Sequence, residues 1–345
     1  MTLVADPPDQ ATAATETTSP APTPAPARRR PAPFTPARVA VIVLAWLGVT
    51  LAAVVLVLYG VGPLLEQRDQ SSLLNQYRTE VRQAASQTEG LAGVQAPTAA
   101  PGAGDPVGIL EINAMQLRQV VVEDIGPDQT RQGPGHAPGT AGVGQPGNSV
   151  VVGRRSMFGG PFHDLAELRR GDRIVATTTQ GPSLYVVRQV RQVEVTSPDP
   201  DAAGPMEAAA EGSGAARPRV LRAKMTTDAL YGPTPTDQLT LITSASAAPW
   251  ATGSAQVVVA SMRGKPFEAT LQGGRTDGAD GRHGASGAWP ALILALLAYG
   301  AAAVTATWLY RTARLRSAWL LTAPVLVALA FVLAESIARV LPAWA

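Results

Sequence analysis

Twenty-one consecutive residues without a charge, Val39 to Tyr59, constrain this chain more than any other feature. Backbone N–H and C=O groups cannot stay unpaired in hydrocarbon, so such a run is stable in a bilayer as a helix. At its length it crosses a core of about 30 Å. A cleaved leader is excluded by the length of the run and by the long tail that precedes it. Two more apolar segments, Trp289–Tyr310 and Trp319–Val340, lie near the other end of the sequence. The first carries aromatic residues at both ends, as bilayer interfaces favour. The second is interrupted by Pro324, Glu335 and Arg339; the last two are four apart on one helix face and read as an interface-level ion pair. Arginines cluster at one end of each run: Arg28, Arg29, Arg30 and Arg38 precede the first, and Arg311, Arg314 and Arg316 join the other two. Basic flanks are retained in the cytoplasm, so the expected topology is N-terminus inside, central region outside, and basic hairpin inside.

The rest of the sequence divides around these spans. Residues 1–36 are rich in Pro, Ala and Thr and are expected to be a disordered cytoplasmic tail. Residues 37–60 form the first transmembrane helix, and 61–106 a polar juxtamembrane helix followed by a small-residue linker. Residues 107–270 form the folded domain, 271–288 a Gly-rich linker, and 289–310 and 318–341 two further transmembrane helices. Within the folded domain the apolar runs are short and β-branched: VGILEI, QVVVED, NSVVVG, DRIVATTT, SLYVVRQVRQVEV, LTLITS and AQVVVAS. Gly, Pro and Asp separate them, which predicts a mainly β domain, a barrel or sandwich. Phe162, Leu165 and Leu168 recur every three positions and predict one short helix, stopped by Gly171. An Ala/Gly/Pro stretch, Pro198–Arg217, is expected to be disordered, while Val220–Tyr231 has the apolar content to order.

Composition removes whole classes of chemistry. With no cysteine there is no disulfide, no thiolate metal site and no cysteine nucleophile. Three isolated histidines, His136, His163 and His283, have no metal-ligand spacing, so no metal and no cofactor is expected. A formal net charge of +2 gives no footprint for nucleic acid.

The stretch from Gly133 to Ile174, GPGHAPGTAGVGQPGNSVVVGRRSMFGGPFHDLAELRRGDRI, resembles the core of bacterial sortases, the surface transpeptidases of Gram-positive bacteria. It is most similar to the actinobacterial, class E-like forms, whose pattern runs GPGH-x-PGT, PG-x-PGN, a strand ending GHR, and F-x-x-L-x-x-L-x-x-GD. Gly108–Ile112, Val120–Glu123 and Thr240–Ser244 fit the same pattern. The resemblance implies a sortase-type β barrel with a short helix, here joined to three transmembrane α-helices. It also implies a site in which a cysteine attacks a sorting-signal peptide, a histidine handles the proton and an arginine steadies the oxyanion.

At those three positions this sequence has Arg154, Ser244 and Gln256. A serine needs a base to become a nucleophile, and a guanidinium stays protonated at working pH. The expectation is a catalytically inactive sortase-like protein of the cell membrane, multi-pass, with its β domain extracellular. It would act as a peptide- or protein-binding or scaffold component. Its partners besides the membrane would be a surface protein, a sorting-signal peptide or an active sortase. The alternative is a divergent transpeptidase or hydrolase that uses Ser244 with His136 as a relocated base.

Overall fold

The computed structural model describes residues 35–87, 99–196, 223–251, 253–272, 281–312 and 315–345. The expectations for the N-terminal tail and for Pro198–Arg217 lie outside the described residues.

All seven β-branched runs become strands. They are β1 (Pro106–Ile112), β2 (Leu117–Glu123), β4 (Asn148–Val152), β5 (Arg173–Thr178), β6 (Gly181–Thr196), β8 (Gln238–Ser244) and β9 (Ser254–Arg263). Two short strands were not foreseen, β3 (Gly135–His136) and β7 (Ala223–Thr226). The order is β5-β1-β2-β3-β4-β8-β9-β6-β7, and a further β5–β6 ladder closes the first eight into a barrel, with β7 added outside on β6. Closure is possible because β6 is 16 residues long and bends at a bulge between Val187 and Gln189. Its first half pairs with β5 and most of its length with β9.

Alternation along the strands fills the barrel. Leu110, Ile112, Val151, Leu241, Val258 and Tyr185 point inward into one buried cluster. Phe162, Leu165 and Leu168 close it from one side, and their spacing of three is realised as a 3₁₀ turn, Leu165–Glu167, rather than a longer helix. Phe162 lies against Gly153, where a Cβ would come within 2.5 Å of the ring, so only glycine fits after β4. A short α-helix, α3 (Pro127–Gln132), follows β2.

The first apolar run is α1 (Pro36–Val55). It passes through a π-helical turn, Leu56–Val61, into α2 (Gly62–Gln87) without a break. The widened turn sits where the barrel meets the helix: Phe158 N–H donates to Leu58 O at 3.4 Å. The sparse leucines of α2 are its docking face, since Leu73 packs on Val120 and Val122. The Gln70 amide imitates a neighbouring strand, accepting from Val120 N–H at 2.7 Å and donating to Val120 O at 3.1 Å. Glu66 is buried under the barrel, where the Gln119 amide donates to it. Burial pushes its carboxyl up to about 7.

Two more helices, α5 (Trp289–Thr312) and α6 (Leu315–Val340), pack on each other and on α1; a five-residue helix, α4 (Thr227–Tyr231), lies beside β7. Among the described residues, three helices are thus long and apolar enough to cross a membrane. Glu335 and Arg339 do more than pair with each other. Arg131 Nη1 donates to Glu335 at 2.7 Å and Arg339 Nε to Asp128 at 2.9 Å, so the end of α6 is tied to α3 of the barrel. Isolated, each such half-exposed pair contributes about 1 kcal/mol or less; together they fix how the barrel sits on the bundle.

Candidate functional site

The ladders define one rim of the barrel. β4 and β8 run parallel with Val152 beside Ile242, and Gly153 N–H donates to Ile242 O at 3.0 Å, which carries the next residues, Arg154 and Ser244, to the same end. In the antiparallel β8–β9 ladder Ser244 lies opposite Ala255, while Gln256 lies opposite Thr243. Directly opposite residues share a face and neighbours along a strand do not. Ala255 and Val257 accordingly belong to the cluster on the outer face with Ile242, and Val258 to the interior with Leu241. Gln256 is therefore turned away from Ser244, and the side chain that faces Ser244 from β9 is the methyl of Ala255. The strand run AQVVVAS, read without its partner, had put Gln256 in that place; only register separates the two readings.

Arg154 and Ser244 are both fully buried. The Arg154 backbone carbonyl accepts from Phe162 N–H at 3.0 Å. Its Nη2 donates to Pro127 O at 2.9 Å, and its guanidinium carbon lies 5.3 Å from the centre of the Phe158 ring. Phe158 holds an uncommon positive φ of 50° to present that ring. Nε and Nη1 of Arg154 have no hydrogen-bond partner. Among the described residues no carboxylate lies within ion-pair distance, because Asp128 is engaged by Arg339. Burial pushes the guanidinium down to about 9, with the nearby charge of Arg131 acting in the same direction and Asp128 opposing. It remains a cation at neutral pH and cannot accept a proton from Ser244.

The Ser244 hydroxyl is engaged by its own turn. Oγ donates to Ser246 O at 3.0 Å and accepts from Ser246 N–H at 3.2 Å. Neither an imidazole nor a carboxylate is among its partners. His136 does not reach it: His136 pairs with Val151, two ladder steps and three residues away, roughly 14 Å by ordinary strand spacing. Both ring nitrogens are also occupied, Nδ1 against Glu123 Oε2 at 2.8 Å and Nε2 against Ala141 O at 2.9 Å. These contacts lock the turn that carries β3. His136 borders a cavity of about 310 Å³ whose lining includes Gly142, Gln145, Gln180, Thr270 and Gln272. Those residues precede β4, follow β9 and form the β5–β6 turn, at the opposite end of the barrel from Ser244. His163 is a surface residue beside Asp164. No cluster of metal-ligating side chains occurs among the described residues.

The rim with Arg154 and Ser244 faces the helix bundle and is covered. The loop after β4 places Met157 and Phe158 among Val54, Leu58, Leu333 and Ala334 of the helices. Leu230 and Tyr231 of α4 pack on the outer face of β4, β8 and β9, so the end of the Val220–Tyr231 stretch orders beside the groove. Beyond α6, residues 341–345 turn back onto the rim, where Trp344 is fully buried and its carbonyl accepts from Ser244 N–H at 3.2 Å and Arg155 N–H at 3.3 Å. Nothing in the sequence periodicity announced this return. A tryptophan just past an apolar run reads as an interfacial residue.

Comparison with known proteins agrees with this geometry. A family model described as a sortase domain matches residues 110–263. Among solved structures, the sortase D5 transpeptidase of Clostridium perfringens aligns over 57% of this chain and 99% of its own, with 16% identity and a TM-score of 0.40. Sortase E of Streptomyces avermitilis aligns over 48% and 93%, with 23% identity and a TM-score of 0.33. Sortase E1 of Streptomyces coelicolor, solved with a tripeptide in its active site, aligns over 49% and 93%, with 20% identity and a TM-score of 0.30. No curated protein sequence matches the chain. The closed barrel is thus of sortase type, with three long apolar helices added to it.

Proposed function

We propose that this protein is a catalytically silent, membrane-anchored sortase-fold protein whose barrel holds a peptide segment rather than cutting one. The observation that carries this is the state of Ser244: buried, bonded to its own turn, on the same rim as the Arg154 cation and opposite an alanine. Arg154, Ser244 and Ala255 stand where the family has its proton carrier, nucleophile and oxyanion partner, and none of the three can do that work. A fluorophosphonate probe, which reacts with activated serines, should leave Ser244 unmodified in the full-length protein. Labelling that disappears in Ser244→Ala would overturn the reading.

The same reading places the barrel outside the cell. The C-terminal ends of α1 and α6 and the start of α5 all lie at the barrel, as the contacts of Leu58, Arg339 and Ala285 establish. Their far ends carry Arg38 and Arg311, the side that stays cytoplasmic. Trp250, in the β8–β9 connection of the covered rim, is 73% exposed and sits where an aromatic ring would meet the outer headgroups. Alkaline phosphatase fused after Gly90 should be active and a fusion after Arg314 inactive; the reverse would sink the orientation. Held there, the barrel would act as a binding or scaffold component for a surface protein, a sorting peptide or an active sortase.

A further inference from the structure

Residues 341–345 are bound to the barrel as a peptide is bound to a receptor. Three donors converge on one carbonyl: Trp344 O accepts from Ser244 N–H at 3.2 Å, Arg155 N–H at 3.3 Å and Thr243 Oγ1 at 3.4 Å. Trp344 N–H donates to Gly281 O at 3.3 Å, and Ala345 N–H closes a turn onto Pro342 O at 3.2 Å. The segment enters where β4 has left the sheet and β8 still offers an N–H. The indole joins Val150, Val152, Ile242, Ala255 and Val257 on the outer face. Ala255 matters here, because a larger side chain opposite Ser244 would occupy the space of the ring.

The fit is incomplete in an informative way. Trp344 Nε1, Arg154 Nε and Arg154 Nη1 are all buried without a partner. Leaving a buried donor unpaired costs about 1–3 kcal/mol, and more when it is charged. The seat therefore presents more donors than its resident segment satisfies, and main-chain donors hold any peptide that brings its own carbonyls. We propose that this groove is a peptide-binding site held shut in cis by residues 341–345, which leave it to admit an extended peptide in trans whose carbonyl or carboxylate groups engage Arg154 and the rim N–H groups. This rests on the reading of the barrel as a peptide holder and adds its gate.

The absence of cysteine makes the test direct, since Ser244→Cys introduces a single thiol into the chain. In full-length protein in nanodiscs, that thiol should react with a maleimide about tenfold or more slowly than one at exposed Trp250→Cys. Two changes should each raise its rate about tenfold or more by releasing the segment. Trp344→Ala removes the anchor. Gly284→Ala leaves every barrel side chain in place and puts a Cβ 2.1 Å from Val340 O, which forces the end of α6 to move. Excess acetylated Leu-Pro-Ala-Trp-Ala amide should then restore protection in both variants. A thiol that labels equally fast with and without these changes, in protein with an unaltered melting curve, overturns the gate. A thiol that is released but never protected by peptide overturns the binding site. Neither outcome touches catalytic silence, which the fluorophosphonate probe judges separately in Gly284→Ala, where the segment is displaced from Ser244.

Discussion

Incubated with Leu-Pro-x-Thr-Gly and Leu-Ala-x-Thr-Gly peptides and an amine acceptor, the purified full-length protein should form product no faster than buffer alone. Acyl transfer needs a nucleophile that can shed its proton, a group to take it and a donor for the oxyanion. Loss of the attacking or proton-carrying group alone typically costs on the order of 10⁴ to 10⁶ in rate, and here all three positions are changed. Occlusion by residues 341–345 would give the same silence, so the assay is repeated in Gly284→Ala, where the segment is displaced. Silence there assigns the defect to chemistry. Register supplies a sharper contrast. In that open background, Arg154→His with Ser244→Cys and Ala255→Arg places all three groups on one rim and should yield peptide-dependent product. The same set with Gln256→Arg in place of Ala255→Arg puts the guanidinium on the interior face and should not. Turnover by the unmodified chain that vanishes in Ser244→Ala would show the site to be an active one.

Much of the fold could be read from local pattern. Seven strands followed from β-branched runs between turn residues, and three long helices from apolar length, because each is set by a few adjacent residues and the medium they face. The Phe162, Leu165 and Leu168 triplet was legible as a packed turn, although a spacing of three belongs to the 3₁₀ rather than the α period. What escaped was contact between distant parts. Gln70 looks like one polar residue among many on α2, and only its two bonds to Val120 show it acting as a strand edge. Glu335 and Arg339 satisfy an i,i+4 rule so well that their sequence hides the partners Arg131 and Asp128, some two hundred residues earlier. The site shows the same division. Arg154 and Ser244 were found because they interrupt a linear pattern. Ala255 and Trp344 were not, because strand register and a chain reversal are properties of pairs of segments.

Replacing Arg154 by methionine should make the protein more stable, by about 1–4 kcal/mol, the range seen when buried charges give way to apolar side chains of similar volume. The cation is fully buried, holds one backbone carbonyl and one aromatic ring, and leaves two N–H groups unpaired. Methionine keeps most of the packing against Phe158 and removes the desolvation cost. The pH dependence has a definite sign. Burial lowers the folded-state guanidinium to about 9, well below its ordinary range, so the folded state resists the proton that the unfolded chain keeps. The penalty is fully present below pH 9 and fades as pH rises from there toward the ordinary guanidinium range. The stabilising effect of Arg154→Met should therefore be complete at neutral pH and shrink only in strong alkali. Thermal unfolding of wild type and variant in the same detergent measures it, with about 2–4 °C expected per kcal/mol for a unit of this size. A variant that melts lower would show that the Pro127 and Phe158 contacts outweigh the buried charge. A variant that melts higher, yet whose Ser244→Cys thiol in the Gly284→Ala background is no longer protected by the pentapeptide, would show why the arginine is kept. It is a group held at a cost to the fold for the acceptor it meets when the groove is filled.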